Sequence, residues 1–392
     1  MNSNCRKVLT CVVLLIIFVI GIGTTYNCRD TISDIVKTNN YLHCKSEVES
    51  ALNKKIQWRY QWINVNGLFQ RCLGTTIVRG NGTESDYNVY KLSNGQIMYS
   101  LHEQDMTQYA EIVSKLDKAL SERGRGLLYV QLPNKIKDNS YMPPGAKTSG
   151  NLNADQLIPM LRERNVDLID LREEIEKAGF DWSSLFFKTD HHWTPKTGLW
   201  ASGLIMNHIS DKYGYEINEE YNEYDNYKSH VKENWMLGAV GRRTGAWYDG
   251  LDDIEILEPK FDTSLSLHGL CSEGVIDQEG DFWHAIYYWD QLKKRSDFER
   301  NAYSTYIGHE FRICTIKNRM PVNDLKVLVI RESFSCVLTP FISLNSEECV
   351  AIDLRRYKEQ SVVELCDEIK PDVVIIAYNP SAFSTEQFDF FK

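Results

Sequence analysis

Residues 325–335 read LKVLVIRESFS. Five of the first six side chains are apolar and three of those are β-branched, which suits a strand buried on both faces. Charge then appears at Arg331 and Glu332, and Ser333 follows before a helix expected from about Cys336. Doubly buried strands belong to parallel sheets covered by helices, and such sheets place their sites at the carboxyl ends of strands. Ser333 stands at such an end. A serine in that turn has backbone N–H groups and a following helix dipole with which to stabilise an oxyanion. A lone strand-end serine is more often a helix cap, so the reading needs a second signal.

Working outward, further strand-like runs lie at 126–132 (GLLYVQL), 166–171, 350–353 and 372–377 (DVVIIA). Helical spacing of Ala110, Ile112, Val113, Leu116 and Leu120 marks a helix over 105–124. Others are expected at 155–163, up to 178, from Thr194-Pro195 to about 212, and at 362–369. Thr194 with Pro195 is a helix-start signal. The alternation predicts an α/β fold with a largely parallel sheet flanked by helices. A hairpin is expected over 89–101 around Ser93-Asn94-Gly95. Between about 213 and 320 the pattern changes to tyrosines among acids, GAVGRRTG (238–245) and FWHAIYYW (282–289), read as a strand-rich insertion or subdomain.

The second signal is TDHHWTPKTG at 189–198. Asp190 and His192, two apart in an extended or turn segment, can set a carboxylate against an imidazole nitrogen. That contact fixes the tautomer and stabilises the imidazolium a serine nucleophile needs. A metal site on Asp190, His191 and His192 stays open as an alternative, although adjacent residues rarely converge on one ion without outside ligands. Neither a cofactor nor a metal is called for.

These segments resemble a known group. TDHHWTPKTG, with LLYVQLPNK (127–135) and Tyr141-Met142-Pro143 before it and LVIRESFS, DLRRY and DVVIIAYNPS after it, is similar to the DHHW protein family of bacteria. Those proteins are similar to the alginate O-acetyltransferases AlgJ and AlgX, which have an SGNH-hydrolase-like fold. The resemblance runs roughly from 66 to 392. It implies Ser333 as nucleophile, His192 as base and Asp190 as its orienter. It also implies Lys135, Trp193, Arg355 and Asn379 as substrate-binding neighbours. The implied activity is an extracytoplasmic serine O-acyltransferase, an O-acetyltransferase in the first instance, acting on a cell-surface polysaccharide through an acyl-serine. The alternatives are a carbohydrate esterase of the same fold, or a non-catalytic glycan-binding or scaffold module. One departure matters: Arg331-Glu332-Ser333 stands where SGNH enzymes carry Gly-Asp-Ser.

The N-terminus carries a different message. Arg6 and Lys7 precede VLTCVVLLIIFVIGI (8–22), and basic residues ahead of an apolar run keep that end in the cytosol. Residues 1–7 are expected to be cytoplasmic, 8–26 a signal anchor, 27–66 a helical stalk and 67–392 the catalytic domain. Gly21-Ile22-Gly23 leaves cleavage open. Trp58, Trp62 and Phe69 are expected to dock on the body. The expected partners are the polysaccharide, the membrane and a membrane protein that hands over the acyl group. With 44 Lys+Arg against 54 Asp+Glu the formal charge is −10 and no basic cluster occurs, which argues against nucleic acid. The ten cysteines are scattered and contain no CxxC, so one or two disulfides stay open.

Overall fold

The computed structural model describes residues 3–37, 48–49, 52–80, 88–272, 274–308 and 310–391. Strands are numbered in chain order. β1 (Ile77–Val78), β2 (Val89–Lys91) and β3 (Ile97–Met98) make a small antiparallel sheet. β4 (Gly126–Gln131) and β5 (Leu168–Asp170) follow, then the antiparallel ribbon of β6 (Tyr227–Met236) and β7 (Asp252–Pro259). β8 (Leu265–Cys271), β9 (Gly274–Gly280), β10 (Ile313–Asn318), β11 (Lys326–Arg331), β12 (Glu348–Ile352) and β13 (Val373–Tyr378) complete the set. The central sheet has the order β5-β4-β13-β11-β12-β10-β8-β9. Its first five strands are parallel, and β10, β8 and β9 continue it antiparallel.

The helices are α1 (Ser3–Lys37), α2 (Arg59–Cys72), α3 (Thr107–Ser121), α4 (Gly150–Glu163), α5 (Leu171–Ala178), α6 (Pro195–Tyr213) and α7 (Val362–Ile369). Shorter helical turns are named by residue. Side chains alternate across a strand, so each central strand feeds two cores. Val130, Val327, Val329 and Ile375 join one core with α5 and α6, where Ile175, Leu199, Ile205 and Ile209 are buried. Leu127, Leu328, Ile330 and Ile376 join the other with α3, α4 and α7, where Val113, Leu116, Leu157 and Leu365 are buried. Burial of each such side chain stabilises the fold by about 1.5–3 kcal/mol.

Of the strands between 213 and 320, β8, β9 and β10 join the central sheet, and β6 and β7 pair with each other as a separate two-stranded ribbon. Leu265, Leu267, Cys314 and Ile316 of β8 and β10, and Ile254 and Ile256 of β7, lie in the same core as α6. Apolar alternation on β8 and β10 needs a sheet to join, and the open edge at β12 supplies it through β10.

The segment Lys7–Ile35 of α1 is long and apolar enough to cross a membrane. The expected stalk is only partly visible: 38–47 and 50–51 lie outside the described residues, as does Cys44 of the disulfide reading. α2 corrects one expectation. Trp58, Trp62 and Phe69 are exposed, and the helix instead turns Gly67 to the body. A Cβ at Gly67 would stand 2.1 Å from the Thr244 carbonyl, so only glycine allows that approach. Cys11, Cys28, Cys72, Cys271, Cys314, Cys336, Cys349 and Cys366 are all free thiols.

Candidate active site

β11 ends at Arg331 between β13 and β12, so its carboxyl end lies beside that of β13. Glu332 is extended, and the chain then tightens into a 3₁₀ turn, Ser333–Val337. The continuous helix expected from about Cys336 is absent: a separate turn, Thr339–Ile342, follows. Pro340 explains it, because proline lacks the N–H donor and clashes with the carbonyl four residues back. No long helix dipole therefore stands behind Ser333.

The loop from Phe186 to Trp193 closes on itself through a bridge between those two residues, before Thr194 caps α6. Asp190 accepts from the His192 backbone N–H (3.0 Å) and pairs with His192 Nδ1 (2.6 Å). His192 Nε2 lies 2.7 Å from Ser333 Oγ. Asp190 and His192 are buried, whereas Ser333 and His191 are partly open. With the carboxylate accepting a hydrogen bond from Nδ1–H, Nε2 is left as acceptor for the serine hydroxyl. Burial alone would raise the Asp190 pKa, but the two neighbouring imidazoles and the N–H donors outweigh it and hold it well below the carboxylate range. Burial and His192 push His191 down to about 3, so this second imidazole is neutral.

Three devices hold the loop. Lys135 is fully buried, and its Nζ donates to the carbonyls of Ile97 (2.9 Å), Lys188 (2.9 Å) and Asp190 (2.8 Å). Burial pushes Lys135 down to about 8 against the pull of Asp252, Asp190 and Asp249. Asp252 accepts from the Lys188 and Thr189 N–H groups and the Thr189 hydroxyl. The third device is the 238–241 turn, where Ala239 N–H donates to Asp190 Oδ2 (2.7 Å). Gly238 approaches so closely that a Cβ would fall 2.4 Å from Asp190 Cα.

The four expected substrate neighbours separate. Lys135 spends all three of its donors on the carbonyls of Ile97, Lys188 and Asp190, which leaves none for a substrate. Trp193 is fully buried, and its Nε1 donates to the Phe334 carbonyl (2.8 Å). Asn379 is buried too, donating to Pro133 O and accepting from Ser381 N–H. Each is polar in sequence yet consumed by the main chain, which only the fold reveals. Arg355 alone keeps an exposed guanidinium; it pairs with Asp353 and its charge reaches Glu332.

Several contributors carry no sequence signal. Tyr303 stacks on His192 with centroids 4.0 Å apart and planes 10° apart, and its hydroxyl donates to the carbonyls of Ser333 and Phe334. Tyr99 lies 5.8 Å from the His191 ring, with the Arg243 guanidinium 5.4 Å from the Tyr99 ring. Glu332 is buried and accepts from Phe334 N–H (3.0 Å) and Asn379 N–H (3.4 Å), and one of its oxygens stands 3.2 Å from Ser333 Oγ. Burial raises its pKa. The carboxylate thus occupies two backbone donors beside the serine, at the position where the Gly-Asp-Ser pattern departs.

The ligand atoms of Asp190, His191 and His192 lie within 4.8 Å of one another. Both His192 nitrogens are already engaged, by Asp190 and Ser333, so a metal would have to displace that relay.

Residues 93–248 match the family model described as the SGNH hydrolase-like domain of the acetyltransferase AlgX. No curated protein matches the chain. Among solved structures, PatB1 of Bacillus cereus with a sulfonyl adduct is similar over 78% of this chain and 98% of its own, with 20% identity and a TM-score of 0.63. A DHHW family protein from Eubacterium siraeum covers 81% of this chain and 99% of its own, with 17% identity and a TM-score of 0.60. The fold is SGNH-hydrolase-like, and the resemblance to the DHHW proteins and to the AlgX domain holds.

Proposed function

We propose that the chain is a membrane-anchored serine O-acetyltransferase whose catalytic part lies outside the cytoplasm and acts on a cell-surface polysaccharide. The observation that carries this is the unbroken array Asp190–His192–Ser333, at 2.6 and 2.7 Å, with only its serine end open. Ser333 Oγ attacks the acyl carbonyl of the donor, and His192 Nε2 takes the hydroxyl proton as the Oγ–C bond forms. Asp190 stabilises the resulting imidazolium. Collapse breaks the donor C–O bond, and His192 returns the proton to the leaving oxygen. A sugar hydroxyl then gives its proton to His192 and attacks the acyl-serine, and as the acyl–Oγ bond breaks His192 passes that proton to Ser333 Oγ. Arg6 and Lys7 ahead of the apolar helix support the orientation, and a membrane protein would deliver the acyl group. The AlgX domain match supports acetyl as the group transferred.

Hydrolysis is the second reading, favoured by the partial exposure of Ser333, which lets water reach an acyl-serine. The deciding experiment supplies an activated acetyl ester with and without an oligosaccharide acceptor. Acetylated sugar that requires Ser333 supports transfer; acetate alone, unaffected by acceptor, supports an esterase. Loss of neither product in Ser333→Ala would place the nucleophile elsewhere.

A further inference from the structure

α2 has two faces. Tyr60, Asn64 and Gly67 turn to the body: Tyr60 stacks on Phe298 at 4.4 Å, Asn64 Oδ1 accepts from Ala246 N–H, and Gly67 abuts Thr244. On the opposite side, Trp58, Trp62, Val65, Phe69 and Leu73 recur at helical spacing and form one apolar stripe. They are 47%, 41%, 45%, 58% and 63% exposed. A row of this size on a soluble surface marks an interaction site.

What covers it follows from where α2 begins. Gln57 N–H donates to Thr24 Oγ1 (3.0 Å), Asn27 Nδ2 donates to Gln57 Oε1 (2.9 Å), and Lys55 Nζ donates to Thr31 Oγ1 (2.7 Å). A Cβ at Gly23 would stand 2.9 Å from Gln57, so the two segments touch directly. The apolar run of α1 ends near Tyr26, where Arg29 lies 4.1 Å from the Tyr26 ring. Trp58 therefore starts the stripe at the level where α1 would leave the hydrocarbon. Tryptophan and tyrosine prefer that interface. The charge agrees: residues 51–80 hold Lys54, Lys55, Arg59, Arg71 and Arg79 and no acidic residue, in a chain of net charge −10.

We propose that α2 lies in the plane of the outer leaflet, with its apolar stripe at the acyl boundary and its basic residues at anionic headgroups. The chain then holds the membrane at two places, and the catalytic body is held against the lipid surface instead of hanging from a tether. This rests on the reading of α1 as a membrane span.

The test uses the full chain in phosphatidylglycerol/phosphatidylethanolamine vesicles whose acyl chains are brominated at a shallow or a deep position. α1 contains no tryptophan, so quenching of tryptophan fluorescence reports the body. Shallow bromine should quench more than deep, and the Trp58→Phe/Trp62→Phe variant should lose most of that quenching. Val65→Glu/Phe69→Glu should also reduce it while leaving turnover of a soluble acetyl ester unchanged, which shows that the variant is folded. Alkaline extraction separates the two readings. Quenching in an extractable protein would keep the lipid contact of α2 but remove the span, and so overturn the two-place attachment. An integrated, unextractable protein with no difference between wild type and the tryptophan variant would overturn the α2 proposal. A partner protein crosslinked to Trp62 in place of lipid would overturn it as well.

Discussion

The Trp193 indole N–H donates to the carbonyl of Phe334 at 2.8 Å, so the residue after the base is tied to the residue after the serine. The Tyr303 hydroxyl reaches the same carbonyl at 3.0 Å. Segments far apart in the chain are thereby locked side by side with His192 and Ser333 in register.

Trp193→Phe keeps an aromatic ring but removes the donor and some volume. Unfolding should become easier by about 2 kcal/mol, from one lost hydrogen bond and a small void. Turnover of an activated acetyl ester should fall at constant KM. Unchanged turnover would mean that this tie does not position the pair.

Ser333→Ala and His192→Ala should each reduce acyl transfer to background, and the double variant should be no slower than either. Asp190→Asn should cost on the order of 10⁴-fold, as for orienting carboxylates in serine triads. Covalent labelling by a fluorophosphonate should disappear in Ser333→Ala and persist in Ser335→Ala. Labelling that survives Ser333→Ala excludes this triad.

Lys135→Met leaves the carbonyls of Ile97, Lys188 and Asp190 without their shared donor. Losing a buried ammonium also removes its desolvation cost, so the net destabilisation should be about 2–4 kcal/mol by urea titration. The rate should drop with KM for the acyl donor held, because the side chain braces the Asp190 loop and touches no substrate. A change confined to KM would return Lys135 to the binding site.

His191 gives a pH signature. Its folded-state pKa is pushed from 6.5 down to about 3, so below pH 6.5 the unfolded chain takes up a proton that the folded one refuses. Stability therefore falls as pH falls through that window. In His191→Gln, Tm should decline less steeply between about pH 6.5 and 4 than in the wild type. Its acyl transfer should stay far above that of His192→Ala. Parallel Tm curves for the variant and the wild type would contradict the neutral imidazole.

Val329 sits in β11, paired on both sides with β12 and β13. Val329→Pro removes a ladder donor in mid-sheet and should abolish folding. A soluble variant with a cooperative melt would show that β11 is not central.

The strands at 126–131, 326–331 and 373–378 were legible because the middle of a doubly buried strand is a continuous apolar run, and that pattern survives in one dimension. The pair at 190–192 was legible because Asp190 and His192 are two apart and the contact is local. Lys135, Trp193 and Asn379 misled for the opposite reason. A polar side chain announces a need for partners, and the sequence does not say whether those partners are substrate or distant carbonyls. Tyr303, Asp252 and Gly238 were silent, since each acts only through neighbours supplied by other elements.

Apolar periodicity alone determined the α/β class, the strand that presents Ser333 and the membrane-length helix, because these depend on short-range patterns of burial. The tertiary structure decided how β8, β9 and β10 extend the sheet, which face of α2 meets the body and how Glu332 occupies the donors beside Ser333. It also brought Ser333 to 2.7 Å from His192 across 141 residues of sequence separation. Long-range closures of this kind are paid for by the whole core at once, and no local segment encodes them.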